Sequence, residues 1–280
     1  MARGRTRLPN PLTPLESAER ARRFGWWYFA EQVLRQMRVY LVSVIMYSIG
    51  TPLAYLLAMG VGLATLVNAS AQHQFSGVSY QVFIAPALVA STALMSAAGE
   101  FMYPVMDGFK WRRVYYGPYA SPLRPEQIAQ GHVVAVFLRI LLPTVIYYLI
   151  VVLFGVAPSP WGWFSVLSAS IAAMSFGLPL MAWTATLTKD AGQFALVQRF
   201  VVAPLFLFSG TFFPLTQLPW FLQWIGWISP LWHATELGRV FSFGYQEPLW
   251  LSLMHAAYLL VLAWLGWVLA QRMFARRLQG

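Results

Sequence analysis

The 280-residue chain contains no cysteine, which excludes disulfides, thiolate metal sites and a cysteine nucleophile. Charged residues are scarce, at 10% of the chain against about 25% in soluble domains. Acidic residues are rarest, with nine Asp and Glu against 19 Lys and Arg. The mean hydropathy of +0.58 leaves too little polar surface to cover a water-soluble globule. Composition therefore excludes an ordinary soluble enzyme and a disordered protein.

Sequence motifs for catalysis and nucleotide binding are also missing. The sequence has no GxxxxGK[ST] phosphate loop, so we do not expect this chain to bind ATP itself, and it has no HExxH or GxSxG pattern. The four histidines are scattered and no two are spaced i, i+4: His73, His132, His233 and His255. We therefore expect no catalytic residue, no bound cofactor and no metal site on this chain.

Long apolar stretches are what the sequence does contain. A transmembrane helix needs roughly 20 mostly apolar residues. Six stretches fit this requirement: 40–67, 80–106, 133–156, 163–187, 194–213 and 249–273. They lack the alternation of barrel strands, and a helix in lipid satisfies its own backbone hydrogen bonds. The sequence predicts an all-α membrane protein with six transmembrane helices, in which residues 39–280 form one domain.

The basic residues predict the orientation. Of the 19 Lys and Arg residues, 17 precede the first stretch, close the chain at the end of the sixth, or lie in or beside the loops between stretches two and three and between four and five. The exceptions are Arg239, in an opposite loop, and Arg139, inside the third stretch. The positive-inside rule then places both termini in the cytoplasm. This distribution accounts for the basic charge without a nucleic-acid partner.

Residues 1–38 are predicted to form a cytoplasmic tail and an interfacial amphipathic helix. Pro9, Pro11 and Pro14 interrupt the tail, and no apolar segment follows closely, which argues against a cleavable signal peptide. From position 17 to 38, arginines surround an aromatic cluster, as expected of a helix on a membrane surface. Its members are Phe24, Trp26, Trp27, Tyr28 and Phe29.

Segment 213–248 is apolar but is not predicted to span. Pro214, Pro219 and Pro230 divide it into pieces too short to cross a bilayer. A crossing would also place the basic C-terminus on the wrong side. The sequence therefore predicts an outer re-entrant hairpin of two short helices between spans five and six.

Another short element is predicted between spans two and three. Pro125 suits the first helical position, Glu126 suits the positive N-terminal end of a helix, and Gly131 suits a stop. We expect a short cytoplasmic helix over 125–130. An element of this kind between two long spans could dock into another protein.

Two ionisable residues lie inside predicted spans. Glu100 and Arg139 are each about eight residues from the same end of two antiparallel helices, so they reach similar depth. The sequence predicts that they pair. The pair could be purely structural, or it could carry motion from the cytoplasmic helix into the spans. Alternatively, it could be the working site of an ion-coupled secondary transporter.

Two other patterns leave alternatives open. Aromatic residues around the loop between spans two and three suit either a belt at the inner interface or a lateral entrance for substrate; they are Phe109, Trp111, Tyr115, Tyr116 and Tyr119. On the outer side, His233 and Glu236 share a helical face. This pair admits a membrane-embedded enzyme acting on lipid, although the surrounding pattern favours a packing or gating role.

The run FLFSGTFFPLTQLPWFLQWIGWISPLWHATELGR resembles the signature region of type-2 ABC exporter permeases, most of all the branch of nodulation-factor (lipo-oligosaccharide) and daunorubicin-type permeases. The matching positions are Ser209, Gly210, Phe213, Pro214, Leu218, Pro219, Pro230, His233, Glu236 and Arg239. The likeness extends over the chain, from the amphipathic N-terminal helix to the outer hairpin before span six.

The resemblance implies a permease subunit that exports an amphipathic drug, lipid or lipo-oligosaccharide across the bacterial inner membrane. It further implies a second permease subunit, identical or related, and a separate pair of P-loop ATPases that bind ATP and Mg²⁺. Coupling to those ATPases would fall on Ser121, Pro122, Leu123, Arg124, Pro125, Glu126 and Gln127. The hairpin would help to close the exit, and spans two and five would line the substrate path at Phe83, Met95, Phe206, Phe208 and Phe212.

Overall fold

The computed structural model describes residues 13–37, 41–55, 57–58, 62, 75 and 77–280, and these form helices and turns without a strand among them. The predicted all-α fold is confirmed for this part of the chain. The tail over residues 1–12 and most of the second half of the first predicted span lie outside the described residues.

The helices are numbered here in chain order. Their bounds are α1 Pro14–Met37, α2 Leu41–Tyr55, α3 Tyr80–Met106, α4 Tyr116–Tyr119, α5 Pro125–Leu153, α6 Phe164–Thr186, α7 Gln193–Val197, α8 Ala203–Phe208, α9 Trp220–Trp227, α10 Pro230–Phe243 and α11 Leu249–Gln279. A π-helical turn extends α3 over Asp107–Trp111, and another, Gln198–Val202, joins α7 to α8.

Four helices of the described chain are long and apolar enough to cross a membrane: α3 with its π-turn, α5, α6 and α11. They coincide with predicted spans two, three, four and six. Helices α1 and α2 are long and apolar enough to cross a membrane only when they are taken together, and the chain bends by 75° between them. The four long helices agree with a multi-pass arrangement, while the full count of six stays a prediction.

The fifth predicted span, 194–213, extends too far. Its helix runs over Gln193–Phe208, and it is shorter than the four helices that are long enough to cross a membrane. The chain then turns at Gly210, whose φ of +71° suits glycine. The apolar residues after Phe208 belong to this turn, so hydropathy alone extended the helix past its end.

The predicted short helix over 125–130 is also wrong as a separate element. Pro125 begins a helix that continues without a break to Leu153. Gly131 does not stop this helix. The glycine lies where α1 crosses α5. A Cβ atom on Gly131 would lie 2.4 Å from the backbone oxygen of Trp26. Glycine serves close approach of two helices here, not termination.

Helix α1 begins with a capping box. The backbone N–H and the hydroxyl of Thr13 donate to Glu16 Oε2 at 2.8 and 2.9 Å, and Glu16 N–H donates to Thr13 Oγ1 at 3.3 Å. One face of α1 buries Gly25, Phe29 and Ala30. Phe24, Trp27 and Tyr28 stay exposed, which leaves an aromatic face of the kind expected at a membrane surface.

Helices α3 and α6 form the centre of the core. Small side chains let them approach closely: a Cβ on Gly177 would lie 2.1 Å from the Phe101 ring. Helix α11 packs on the other side of α6, where the Ser175 hydroxyl donates to the Leu259 carbonyl at 2.6 Å. Close packing of this kind fixes the four long helices as one unit.

Long-range bonds define the two ends of this unit. At one end, here named the α1 end, Lys110 Nζ donates to the Thr188 carbonyl at 2.7 Å and Arg277 Nη1 to the Ala185 carbonyl at 2.7 Å. At the other, the hairpin end, Ser159 N–H donates to the Ser242 carbonyl at 3.0 Å. The basic residues after α3, after α6 and in the last turns of α11 therefore lie together at the α1 end.

Candidate functional site

The predicted coupling segment, Ser121–Gln127, lies at the α1 end between α4 and the start of α5. Three of its seven side chains are exposed: Ser121, Pro122 and Arg124. The others point inward to different degrees, with Pro125 and Gln127 buried. The segment thus presents a small exposed surface on a buried base.

Gln127 connects this base to α1. Its Nε2 atom donates to the carbonyls of Arg22 at 2.8 Å and Ala21 at 3.3 Å. Its Oε1 atom accepts from the Arg124 N–H at 3.0 Å, which caps the N-terminus of α5. One buried amide therefore holds the exposed loop, α5 and α1 in a fixed relation.

The structure brings Glu100 and Arg139 together. Arg139 Nη2 lies 2.8 Å from Glu100 Oε1, and about a quarter of each side chain is exposed. Two other atoms of the pair, Glu100 Oε2 and Arg139 Nε, are buried without a hydrogen-bond partner among the described residues. The described residues therefore do not fully satisfy the hydrogen-bonding capacity of the pair.

Three adjoining cavities follow one face of α3. The first, of about 500 Å³, contains the Glu100–Arg139 pair and lies between α2, α3 and α5. The second, of about 370 Å³, reaches α1 and shares Tyr103 and Arg139 with the first. The third, of about 310 Å³, reaches Tyr147 and Phe206 and shares Met95 with the first. Together they extend along much of the helix.

At the hairpin end, Arg239 is 1% exposed and connects three segments. Nη1 donates to Glu236 Oε1 at 2.7 Å, Nη2 to the Gly210 carbonyl at 2.6 Å, and the guanidinium lies 3.7 Å from the centre of the Phe83 ring. Burial lowers the pKa of the guanidinium, and the adjacent Glu236 carboxylate opposes this shift. Arg239 thus ties α10 to α3 and to the turn after α8.

The rest of the predicted hairpin set surrounds this arginine. Pro230 occupies the first position of α10 and is buried, and Ser229 caps the helix by accepting from Leu231 N–H at 3.2 Å. Ser209 Oγ donates to Ser229 Oγ at 2.7 Å, which joins the turn to the hairpin. Phe213 and Pro214 are half-buried and Pro219 is exposed.

His233 pairs with His255, not with Glu236. The two Nδ1 atoms lie 2.6 Å apart, and His233 Nε2 lies 3.0 Å from the Trp227 carbonyl. The ring of His233 stacks on Tyr258 at 4.0 Å between centroids. Burial lowers the pKa of His233 to about 4. The shared helical face of His233 and Glu236 therefore does not produce a catalytic pair.

Glu247 extends this pair into a chain of three titratable groups. A carbonyl only accepts, so His233 donates through Nε2 to Trp227, and neutral His233 then accepts at Nδ1 from His255. His255 Nε2 lies 3.6 Å from Glu247 Oε2, beyond hydrogen-bond distance, and has no hydrogen-bond partner among the described residues, so Glu247 acts on this pair through its charge alone. The chain joins α10, α11 and the loop between them.

The predicted path residues separate into two groups. Phe83 is 1% exposed and supports Arg239, which gives it a packing role. Met95 is 45% exposed and faces two cavities, and Phe206 faces the third. Phe212 contacts Phe206 at 5.2 Å, and Phe208 is half-buried on α8.

The aromatic group after α3 also divides. Phe109 and Tyr115 are buried and meet Phe274 at 4.7 and 5.2 Å between ring centroids, so they belong to the core. Burial raises the pKa of the Tyr115 phenol. Trp111 and Tyr116 are exposed, so only this outer part suits a belt or an entrance.

The sequence reasoning missed His255 and Glu247 as partners of His233. Their positions in the sequence carried only a weak signal, a histidine early in the sixth span and an acid just before it. Within the described part of the chain, no group of three His, Asp or Glu side chains is arranged to hold a metal ion.

Comparison with known proteins agrees with this architecture. The model of a family described as ABC-2 type transporter matches residues 26–243. Nodulation protein J of Rhizobium meliloti (strain 1021) is 26% identical over 261 residues, which cover 91% of this chain and 95% of that protein. Nodulation protein J of Rhizobium leguminosarum bv. viciae is 25% identical over 241 residues, or 85% and 88% of the two chains.

The family match covers well over half of the chain and includes α3, α5, α6, the coupling segment and the hairpin. The relatives align over most of their own length as well. The long apolar helices agree with a transmembrane transport component. The chain belongs to the ABC-2 type transporter family, as a transmembrane permease.

Proposed function

We propose that this chain is the transmembrane subunit of an ATP-driven exporter in a bacterial cytoplasmic membrane. It moves an amphipathic substrate (a drug, a lipid or a lipo-oligosaccharide) outward, and a separate pair of P-loop ATPases supplies the energy. Family membership and the similarity to Nodulation protein J support this proposal. A second permease subunit, identical or related, completes the membrane unit.

The geometry around Gln127 is the observation that carries the coupling proposal. The exposed residues Ser121, Pro122 and Arg124 offer a contact surface to an ATPase. Because Gln127 bonds to α1 and caps α5, a push on this loop reaches both helices at once. Rigid elements with few internal degrees of freedom transmit such displacements well.

The charge distribution supports the orientation. The basic residues after α3, after α6 and at the end of α11 share the α1 end, which the positive-inside rule assigns to the cytoplasm. The termini and the coupling segment then face the ATPases. The hairpin end faces outward, where α9, α10 and the Arg239 bonds act as the exit gate.

An ion-coupled carrier is less well supported by the site. Glu100 is already bonded to Arg139 at 2.8 Å, so a cation would have to displace a guanidinium. Closure of a partner ATPase pair on binding ATP needs no such exchange. The Glu100–Arg139 pair would instead belong to the helices that move during transport, or to the substrate path.

The test is gentle affinity purification of the tagged chain from its native membranes, with mass identification of bound proteins and an ATPase assay. We expect a P-loop ATPase to co-purify with the wild type and to be largely lost with Arg124→Glu. Arg272→Glu is the matched control, since Arg272 is also an exposed arginine but lies on α11. Absence of any ATPase from the wild-type preparation would overturn the proposal.

A further inference from the structure

Two buried histidines join the hairpin to α11. His233 of α10 is 2% exposed and His255 of α11 is fully buried, and their Nδ1 atoms lie 2.6 Å apart. The ring of Trp232 lies edge-on to both, at 5.0 and 4.8 Å between centroids. Tyr258 of α11 stacks on His233, and its hydroxyl donates to the Ile228 carbonyl at 2.6 Å. The position of the hairpin against α11 therefore depends on the contacts of these two imidazoles.

The hydrogen-bond partners of the pair fix where two protons lie. The Trp227 carbonyl, 3.0 Å from His233 Nε2, can only accept, so this nitrogen carries a proton. A second proton must lie between the two Nδ1 atoms, because two bare nitrogens would repel each other at 2.6 Å. Two neutral imidazoles carry two protons between them, and both are then used. In a neutral pair the remaining nitrogen, His255 Nε2, would be bare.

A bare nitrogen at this place would face a buried carboxylate. His255 Nε2 lies 3.6 Å from Glu247 Oε2, and the Glu247 side chain is only 5% exposed. Among the described residues this nitrogen has no hydrogen-bond partner, and no lysine or arginine pairs with Glu247. The Ser252 hydroxyl donates to the other carboxylate oxygen but carries no charge. A buried carboxylate needs a counter-charge, and a third proton, which makes His255 an imidazolium, supplies it.

The neighbouring groups agree with one positive charge at this point. Burial acts to raise the pKa of the Glu247 carboxyl, but His255 and Ser252 outweigh burial and hold that pKa below its ordinary value. Burial lowers the pKa of His233, the Trp227 carbonyl opposes this, and His255 lowers the pKa further. A positively charged neighbour has this effect on a histidine.

Other titratable groups near the pair are engaged or ionise at a different pH. On α10, Glu236 is bonded to Arg239 at 2.7 Å. The phenols of Tyr258, Tyr245 and, at the start of α3, Tyr80 belong to a class that ionises near pH 10. Helices α6 and α9, which pack on α11 or on the hairpin, contain no titratable side chain. Among the described groups of this region, only the histidine pair is expected to titrate between pH 7.5 and 8.5.

We propose that closure of the hairpin on α11 takes up one proton, which the His233–His255 pair holds against Glu247. An exposed histidine is mostly neutral above pH ~6.5, so a pair that carries three protons when closed gains one on closing. Protons then favour closure, and closure weakens as the pH outside rises. The proton count depends on the geometry of the hairpin alone, and only its meaning as control of the exit gate rests on the proposed function.

The proton count is measured on the full-length chain in lipid bilayers with isotope-labelled histidine. Solid-state NMR distinguishes protonated from bare ring nitrogens, and replacement of each of the four histidines in turn by glutamine assigns the signals. We expect three protonated nitrogens on the His233–His255 pair at pH 7.5. His132 is the internal control, since it is also buried but bonds to the Tyr115 hydroxyl at 3.1 Å, and it should have one. Two protonated nitrogens on the pair would overturn the inference.

The effect on the hairpin is measured by amide hydrogen exchange over residues 220–243 in nanodiscs, corrected for the intrinsic pH dependence of exchange. We expect protection to fall by about tenfold between pH 7.5 and 8.5, because closure takes up one proton. Glu247→Gln removes the counter-charge, and its amide can donate to the bare His255 Nε2. The third proton and most of the pH dependence should then disappear. Glu19→Gln, at an exposed acid on α1, is the matched control and should keep the wild-type behaviour.

Constant protection of the wild-type hairpin between pH 7.5 and 8.5 would overturn the inference, and so would an unchanged pH dependence in Glu247→Gln. The wild-type titration needs no substitution, so it decides the matter even where the variant does not fold. Neither measurement needs an ATPase or a substrate. A chain that shows three protons and the expected pH dependence but captures no ATPase would leave proton uptake standing and refute the proposed function instead.

Discussion

The side-chain amide of Gln127 on α5 donates a hydrogen bond to the backbone carbonyl of Arg22 on α1 at 2.8 Å. The residues are far apart in the chain, and the bond is partly buried, since Gln127 is only 7% exposed while Arg22 lies on the exposed side of α1. It joins the N-terminal helix to the segment proposed to contact the ATPases. The first prediction follows from this bond.

Gln127→Ala removes the donor and leaves two carbonyls of α1 with one partner fewer. Loss of a buried hydrogen bond costs about 1–3 kcal/mol, so α1 should separate more readily from α5. Amide hydrogen exchange over residues 14–37 should become faster, and the midpoint of thermal unfolding in detergent should fall. Gln130→Ala, on the same helix at a half-buried position, is the control and should change little.

Gly131→Ala tests the crossing of α1 and α5. The added Cβ would meet the Trp26 carbonyl oxygen at 2.4 Å and a backbone cannot rotate away as a side chain can. Overpacking typically costs about 1–3 kcal/mol, and we expect the unfolding midpoint to drop and ATPase capture to weaken. Gly99→Ala places the same methyl group in a helix interior with nothing within 4 Å. That control should be neutral or stabilise by about 0.5–1 kcal/mol.

Arg239→Gln tests the anchoring of the hairpin. It leaves Glu236 buried without its charge partner, a change that costs about 3–5 kcal/mol in buried pairs. We expect a strong loss of stability, and a smaller loss when Glu236→Gln is added, measured by a double-mutant cycle of thermal unfolding. Additive effects of the two substitutions would contradict the bond geometry.

The control for Arg239 is an ion pair on the surface. Arg35 and Glu31 lie 2.5 Å apart, with their side chains 70% and 41% exposed. Exposed pairs contribute about 0–1 kcal/mol. Arg35→Gln should therefore leave the unfolding midpoint nearly unchanged.

The stability of the hairpin should depend on pH through His233. Because its pKa falls to about 4 on folding, against about 6.5 in an unfolded chain, the neutral form is favoured in the fold. Stability from this group is complete above pH ~6.5 and is lost as the pH falls towards 4, by on the order of 2 kcal/mol at pH 5. Thermal unfolding at pH 7.5 and 5 measures this loss.

Other titratable groups surround this histidine and must be separated from it. His255 and Tyr258 of α11 contact it directly, and Glu247 faces His255. On its own helix, Glu236 is engaged with Arg239. His233→Gln should reduce the difference between the two pH values while the contribution of the remaining groups persists. An unchanged pH dependence in this variant would assign the effect to His255 or Glu247.

The long apolar helices were predictable because their signal is local. Helix α3 has the bounds predicted from the sequence, 80–106, and α6 differs by one residue at each end. The division of segment 213–248 into two helices could be predicted for the same reason. Pro219 immediately precedes α9, and Pro230 is the first residue of α10. A proline, or a run of apolar residues, affects the backbone conformation only within a few residues of its own position.

Features that depend on a neighbouring helix were not predictable. Gly131 looked like a stop, and only the crossing with α1 shows why a glycine inside a helix is tolerated there. Phe83 suited a substrate path by type and position, but Arg239 covers its ring. The pairing of Glu100 with Arg139 was readable in advance only because a short loop joins two antiparallel spans and places both at one depth.

The sequence by itself determined that this protein is helical, apolar and asymmetric in charge, because these properties sum over local residues. Only the tertiary structure decided which polar groups meet: Gln127 with α1, His233 with His255, and Arg239 with Gly210. A buried polar group must find a partner wherever packing supplies one. Its partner therefore depends on how helices cross, which one-dimensional spacing does not encode.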